Sequence, residues 1–499
     1  MRRLAWVGVS LAMALDVGGW TQRSWAAVCP AELAAAVEAT LQQQPSRVRS
    51  HWGILVETAD AAETLYAQNA EQFLIPASNV KLLTTAAALE HLGADYQIRT
   101  SIYGTALPQT GTLHIVGRGD PSLETEQLQE LAQQLQNQGI TTIRQLVAYE
   151  SHFQGDPILP NWDWEDVQAR YGPPINSLIL NGNSVPLQLV PAALGEPLGI
   201  VWPHPADALG WQIENTSRTV RSTEPEFIRV ERNPSTGVLR VSGQLHQGAS
   251  PADTAFAVPD PTQRFLAEFR QVLEAADIRV HETAIAPFTA RPPATTAPEV
   301  AAVLSPPLSA LLFDINGNSN NLYAEALLQT LGVQLPLADT DNPRIRPTTL
   351  AAGLAAVSDI LQRLGVDPTG IALADGSGIA RKNLVTPRAL VQTLQAMARH
   401  PEAEMFRQSL AIAAETGSLR NRFRDTAAAR RLYGKTGALS GVASLSGYLD
   451  PPHYAPLTFS IIVNHFDYPV STVRPLIDEL VLHLATLQPC EPQGEGESD

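Results

Sequence analysis

The stretch Ile75-Pro76-Ala77-Ser78-Asn79-Val80-Lys81-Leu82-Leu83 carries both a helix start and a reactive pair of side chains. Pro76 stands where a helix can begin. Val80, Leu83, Ala87 and Leu89 continue an apolar run, and Gly93 closes it as a residue past a C-terminus does. Ser78 falls in the first turn and Lys81 three residues later, so the two side chains share a face. A serine hydroxyl is a poor nucleophile until a base takes its proton. Lysine is such a base only if burial and the positive end of a helix dipole lower its pKa. Taken alone, the pair has a plainer explanation: a capping serine beside a solvated lysine.

Composition weakens the plain explanation. The chain has 34 basic residues, and only Lys81, Lys382 and Lys435 are lysines. Arginine stays protonated, whereas lysine can lose its proton. A chain that otherwise uses arginine keeps lysine in Ser78-x-x-Lys81 and again in Lys435-Thr436-Gly437. Between these lies Ser319-Asn320-Asn321, a Ser-x-Asn. The first serine is 241 residues from the second, which is 116 residues from Lys435.

Ser-x-x-Lys, Ser-x-Asn and Lys-Thr-Gly in this order resemble the signature of penicillin-binding proteins and serine β-lactamases. The long first gap is similar to that of the D-alanyl-D-alanine carboxypeptidase/endopeptidase family, the class C low-molecular-mass penicillin-binding proteins (peptidase family S13). That resemblance implies a multi-domain α/β (α+β) chain. Its catalytic domain would have the penicillin-recognising fold, with a large insertion forming two smaller domains. It further implies a serine-type D-Ala-D-Ala carboxypeptidase, in the periplasm or cell envelope, acting on peptidoglycan stem peptides and acylated by β-lactams.

Roles follow by the same resemblance. Ser78 attacks the carbonyl between two D-alanines and Lys81 takes its proton. Ser319, assisted by Lys435, relays a proton to the leaving amine. Asn321 orients Lys81 and the substrate amide. Lys435, Thr436 and Gly437 line the strand that holds the substrate carboxylate, and the backbone N–H groups of Ser78 and Ala438 form an oxyanion hole. No metal or other cofactor is implied.

The ends of the chain suggest export. Arg2 and Arg3 precede an apolar run from Leu4 to Leu15, too short for the roughly 20 residues a membrane span needs. Small residues before Ala27 complete the pattern of a secretory signal peptide over residues 1–26, with an uncleaved anchor as the alternative. Without that segment, which holds three arginines and one aspartate, the net charge goes from −16 to −18. Such acidity argues against nucleic acid and anionic lipid as partners. Cys29 and Cys490, the two cysteines, lie near the two ends. In an oxidising compartment they could pair or remain two inert thiols.

Between the ends, the texture predicts a discontinuous catalytic domain over 27–100 and 291–488. Residues 101–185 and 258–290 form one inserted domain, 186–257 a small β-rich one, and 489–499 an acidic tail. Residues 51–69 read as a hairpin. The segments 431–437, 442–449 and 457–464 read as strands, the last two with alternating apolar positions, and 473–487 as a helix. Gly117-Arg118-Gly119-Asp120-Pro121-Ser122-Leu123, Asp375-Gly376-Ser377-Gly378 and Gly417-Ser418-Leu419 resemble further motifs of the family.

So does Trp162-Asp163-Trp164-Glu165-Asp166 followed by Tyr171. Relatives place an acid and an aromatic here to recognise the free end of a diaminopimelate side chain. By that resemblance Asp166 binds the ammonium, Arg381 the carboxylate and Tyr171 the aliphatic stem. Asn320, Gly317 and Ile379-Ala380 depart from common family residues without removing a catalytic atom. Two rival readings stay open. A serine β-lactamase would need a shorter first gap and a deacylating glutamate, and no Glu-x-x-Leu-Asn stretch is present. A non-catalytic wall-binding relative would not need an intact set of reactive residues.

Overall fold

The computed structural model describes residues 26–43, 49–203, 211–233, 236–291, 297–338 and 347–490. The signal-peptide reading, apart from its last residue, and most of the acidic tail lie outside the described residues.

The first segment holds α1 (Pro30–Gln42), β1 (His51–Thr58), β2 (Thr64–Gln68) and α2 (Val80–Leu92). The inserted region opens with β3 (Arg99–Tyr103), β4 (Gln109–Val116), α3 (Thr125–Asn137) and β5 (Thr142–Tyr149). Seven short strands follow: β6 (Ser184–Val190), β7 (Gly199–Val201), β8 (Ile213–Asn215), β9 (Arg218–Val220), β10 (Phe227–Arg232), β11 (Leu239–His246) and β12 (Ala252–Ala257). Then come α4 (Pro261–Ala275), β13 (Arg279–Ile285) and β14 (Glu299–Leu304). The last segment contains α5 (Leu308–Asn316), α6 (Asn321–Gln334), α7 (Thr349–Arg363), β15 (Ile371–Ala372), β16 (Leu384–Val385), α8 (Pro387–Ala398), α9 (Ala403–Gln408) and β17 (Ala411–Ile412). It ends with β18 (Leu432–Leu439), β19 (Val442–Leu449), β20 (Leu457–Asn464) and α10 (Val470–Ala485).

A six-stranded antiparallel sheet, β17-β18-β19-β20-β1-β2, joins the two ends of the chain. β1 pairs along its whole length with β20, so the first and last segments form one sheet. One face is covered by α1 and α10 through Leu33, Val37, Leu41, Ile477 and Leu480. The other carries α2, α5, α6, α7 and α8 through Leu82, Leu83, Leu328, Val357, Ile360 and Leu390. With helices on both sides, every residue of β19 and β20 is buried. The alternation in these strands therefore separates two buried faces. Leu445, Ile461 and Val463 meet the α10 side. Ser444 bonds Pro76, and Ser446 bonds Ser460 at 2.9 Å, on the face toward the Ser78 turn. A disulfide joins Cys29 to Cys490 and ties the start of α1 to the residues after α10.

A second sheet, β13-β5-β4-β3-β14, carries α3 and α4 on one face, packed through Leu128, Leu131, Leu135, Phe265 and Phe269. Asp260 caps α4 by accepting from the Gln263 N–H at 3.0 Å, and Pro261 occupies its first turn. Residues 299–304 depart from the sequence reading, which gave them to the catalytic segment. As β14 they hydrogen-bond along β3 at the edge of this second sheet. β3 begins at Arg99, so the strand pair closes the insertion on both sides. Between these elements, β12-β6-β7 and a sheet of β8 to β11 enclose a small core around Leu187, Val241 and Phe256.

Candidate active site

The turn that presents Ser78 is set by the backbone. Ala77, Ser78 and Asn79 form one 3-10 turn ahead of α2, and Ala77 has φ +47°. Two glycines leave room for it. A Cβ on Gly437 would stand 2.8 Å from the Pro76 carbonyl oxygen and 3.0 Å from the Ser78 nitrogen. Gly378 has φ +90°, and a Cβ there would meet the Ala77 carbonyl oxygen at 2.0 Å. Substituents at either position would push the Ser78 turn out of place.

Lys81 extends from α2 beneath this turn and is fully buried. Its Nζ donates to Ser78 Oγ (3.1 Å), Asn321 Oδ1 (2.6 Å) and the Ser377 carbonyl (2.6 Å). Burial pushes its pKa down to about 7, against the pull of the Asp375 and Glu325 carboxyls. Lys435, from β18, is equally buried; its Nζ donates to Ser319 Oγ (2.8 Å) and to the Thr436 carbonyl (2.9 Å). Burial and, next, the Lys81 charge hold its pKa well below the usual lysine value.

Ser319 reaches the cleft from a backbone with φ +62°, the left-handed region a non-glycine residue seldom occupies. Asn320 ends that loop by capping α6, its Oδ1 accepting from the Tyr323 N–H at 3.3 Å. The sequence departure at Asn320 is thus spent on a helix cap. Thr436 Oγ1 donates to Ser418 Oγ at 2.8 Å, which places the serine of Gly417-Ser418-Leu419 beside the middle of β18. Ala438 follows on the same strand.

The inserted region reaches this centre. Trp162 Nε1 donates to Asp375 Oδ2 (3.0 Å), and Asn321 Nδ2 donates to the Tyr171 carbonyl (2.8 Å). Phe153, Leu159, Trp162, Val167 and Ile175 pack on Leu322, Ala326 and Ile379. Asp166, Tyr171 and Arg381, 215 positions apart at the extremes, therefore stand at one rim of one cleft. Tyr171 Oη donates to Asp166 Oδ1 at 2.9 Å. Asp166 is half-buried, and burial raises its carboxyl while the Tyr171 hydroxyl and the Arg381 charge oppose the rise. Arg381 donates to the Ser440 carbonyl at 2.8 Å, and its Nε lies 3.6 Å from Asp163.

Sequence reasoning quoted Asp375-Gly376-Ser377-Gly378 but assigned it no part in the site, and it passed over Glu325 altogether. The loop carries the carbonyl that receives a Lys81 N–H, and two carboxyls stand behind that carbonyl. A signal existed: Glu325, the one charged residue of its helix, sits four residues after Asn321, hence on the same face.

A buried lysine bonded to a cleft serine, a second lysine bonded to a second serine, and an asparagine between them define a serine acyl-transfer enzyme of the penicillin-binding class. The chain belongs to the D-Ala-D-Ala carboxypeptidase 3 (S13) family, whose sequence profile matches residues 33–484. It is 32% identical over 451 residues to a D-alanyl-D-alanine carboxypeptidase of Actinomadura sp., covering 87% of this chain and 81% of the relative. It is 26% identical over 466 residues to penicillin-sensitive carboxypeptidase A of Dictyostelium discoideum, covering 87% of each. In fold it is similar to the crystal structure of penicillin binding protein 4 from Haemophilus influenzae, with TM-score 0.76 and 24% identity, over 90% of this chain and 98% of the other.

Proposed function

We propose that the protein cleaves D-Ala-D-Ala bonds of peptidoglycan stem peptides through an acyl-enzyme on Ser78, and that penicillins acylate the same oxygen. The site of action is the cell envelope. Among the described residues no helix is long and apolar enough to cross a membrane.

One observation carries this reading: Lys81 Nζ stands 3.1 Å from Ser78 Oγ, buried and with its pKa pushed down to about 7. At neutral pH a good fraction of this lysine is neutral. Its lone pair then faces the one partner with a proton to give. Asn321 Oδ1 and the Ser377 carbonyl only accept. Ser78 Oγ attacks the carbonyl and its proton passes to Lys81. Ser319, held by Lys435, delivers a proton to the leaving amine. Thr436 and Ser418 offer hydroxyls, and Lys435 a charge, to the substrate carboxylate. The N–H groups of Ser78 and Ala438 receive the oxyanion, and water then resolves the ester.

At the rim, Asp166 takes the ammonium of a diaminopimelate-type side chain, Arg381 its carboxylate, and Tyr171 flanks the stem. Their convergence from distant parts of the chain supports this. The experiment is mass spectrometry of muropeptides after incubation with wild type and Ser78→Ala. Loss of D-alanine reports carboxypeptidase action and cleavage of cross-linked dimers reports endopeptidase action. Products formed equally by the variant would end the proposal.

A further inference from the structure

The substrate carboxylate meets two hydroxyls, Thr436 Oγ1 and Ser418 Oγ, which bond each other at 2.8 Å. Lys435, the cation assigned to it so far, stands on the other side of the strand. Side chains alternate along β18. Gly437 faces the Ser78 turn, and so does Lys435 two residues before it. Thr436 and Ala438 pair with Leu445 and Ala443, which belong to the core on the α10 side. Lys435 is also fully buried, with its Nζ bonded to Ser319 and to the Thr436 carbonyl. A second cation on the Thr436 face would complete the site.

That face has one. A cavity of about 100 Å³ opens there, and Ser418, Thr436, Ala438, Ala443, Arg422 and Arg474 are among its lining residues. β17 pairs with Tyr433 and Gly434, and β18 runs past it to Leu439, so the cavity lies beside the cleft end of the strand. The small side chains of Ala438 and Ala443, partners across β18 and β19, leave the space open. Among the described residues that line it are two arginines and no acid.

The two arginines differ. Arg422 is matched by Asp478: its Nε donates to Oδ1 at 3.1 Å and its Nη2 to the same oxygen. Arg474 stands one turn before Asp478 on α10 and is exposed. The Asp478 carboxylate feels its charge after that of Arg422. Two guanidinium charges against one carboxylate leave one positive charge in excess, beside two hydroxyls that can donate. A guanidinium only donates and stays charged, so the ligand this set fits is an anion with planar oxygens, a carboxylate.

We propose that Arg474 is the cationic partner of the substrate's terminal carboxylate. The carboxylate that leaves with D-alanine, and its counterpart on a penicillin, takes hydrogen bonds from Thr436 and Ser418 and the charge of Arg474 at the mouth of this cavity. Arg474 thereby makes the enzyme select a free C-terminus. The inference rests on the acyl-transfer reading above.

Arg474→Gln removes the charge at an exposed position and keeps a polar side chain. Its acylation by benzylpenicillin, which has a free carboxylate, is compared with that by benzylpenicillin methyl ester, using intact-protein mass spectrometry. Wild type should prefer the acid. In Arg474→Gln that preference should fall about five- to tenfold, through a slower reaction with the acid. Arg474→Lys, which keeps the charge without the fork, should fall between the two. A preference in Arg474→Gln within about twofold of wild type overturns the inference. So does an equal loss on acid and ester, which a merely structural arginine would give. If wild type reacts with both compounds at equal rates, the Ser78 reading stands and this inference alone is overturned. If it reacts with neither, the Ser78 reading fails and the inference falls with it.

Discussion

Lys81 and Asp166 hold ionisable groups at the same cleft under opposite conditions. Lys81 is fully buried, with every N–H of its charged form matched by an oxygen. Asp166 is half-buried, held by one phenol, and bordered by the exposed Arg381 and Asp163. Around Lys81 the backbone has no slack, because glycines at 378 and 437 are close against the Ser78 turn. Around Asp166 the support is a loop of the insertion. In the buried centre a charge is weakly screened and small displacements are costly; at the rim, water and salt weaken each interaction. The proposed function thus puts chemistry where the packing is tight and selection where it is open, and substitutions should separate the two.

The largest effects belong to the centre. Lys81→Arg should be as inactive as Lys81→Ala, with acylation down by about a thousandfold or more, because arginine keeps a charge but accepts no proton. Stopped-flow acylation by a chromogenic β-lactam measures this; substantial activity in Lys81→Arg would make the lysine an electrostatic partner only. Gly437→Ala comes next. Its methyl would crowd Pro76 and Ser78, so acylation should fall about a hundredfold at little cost in secondary structure, and a near-wild-type rate would show that the turn yields.

In wild type, acylation should rise with pH through about 7 as Lys81 loses its proton. The sign is fixed by the base: the active form is the deprotonated one. A rate falling over that interval would assign the proton transfer elsewhere.

The smallest effects belong to the rim. Asp166→Asn should lower kcat/KM about tenfold, some 1.4 kcal/mol, on peptides with a free diaminopimelate-type terminus and leave acylation by a simple penicillin nearly unchanged. Equal losses on both would turn Asp166 into a structural residue and erase the contrast. Asp163→Ala, which removes an exposed ion pair with Arg381, should change either rate by less than about threefold.

The same contrast governs what could be read from the sequence. That Ser78, Lys81, Ser319, Asn321 and Lys435 would come together was legible because motif order and the scarcity of lysine single them out. The strands 442–449 and 457–464 were placed to the residue, since turn residues bound each apolar run. β14 was misplaced because its partner β3 lies about 200 residues away, and no local pattern encodes a long-range register. α8 went unread although Thr386 and Pro387 mark its start as a cap and a first-turn proline. Glu325 was missed because a glutamate in a helix usually signals a solvated face; its spacing from Asn321 put it on the catalytic face, and the packing of the 375–378 loop buries it. The cysteine pair stayed open on sequence alone, since no spacing fixes a bond between residues 461 apart.

The central claim is that the oxygen of Ser78 forms the acyl bond with Lys81 as its base. Intact-protein mass spectrometry after exposure to benzylpenicillin, followed by peptide mapping, addresses it directly. Wild type should gain one penicilloyl group, on the peptide containing Ser78, at a rate that rises as pH passes about 7. Ser78→Ala should gain none, with thermal stability within about 1 kcal/mol of wild type. An adduct on another residue, or one that persists in Ser78→Ala, contradicts the account.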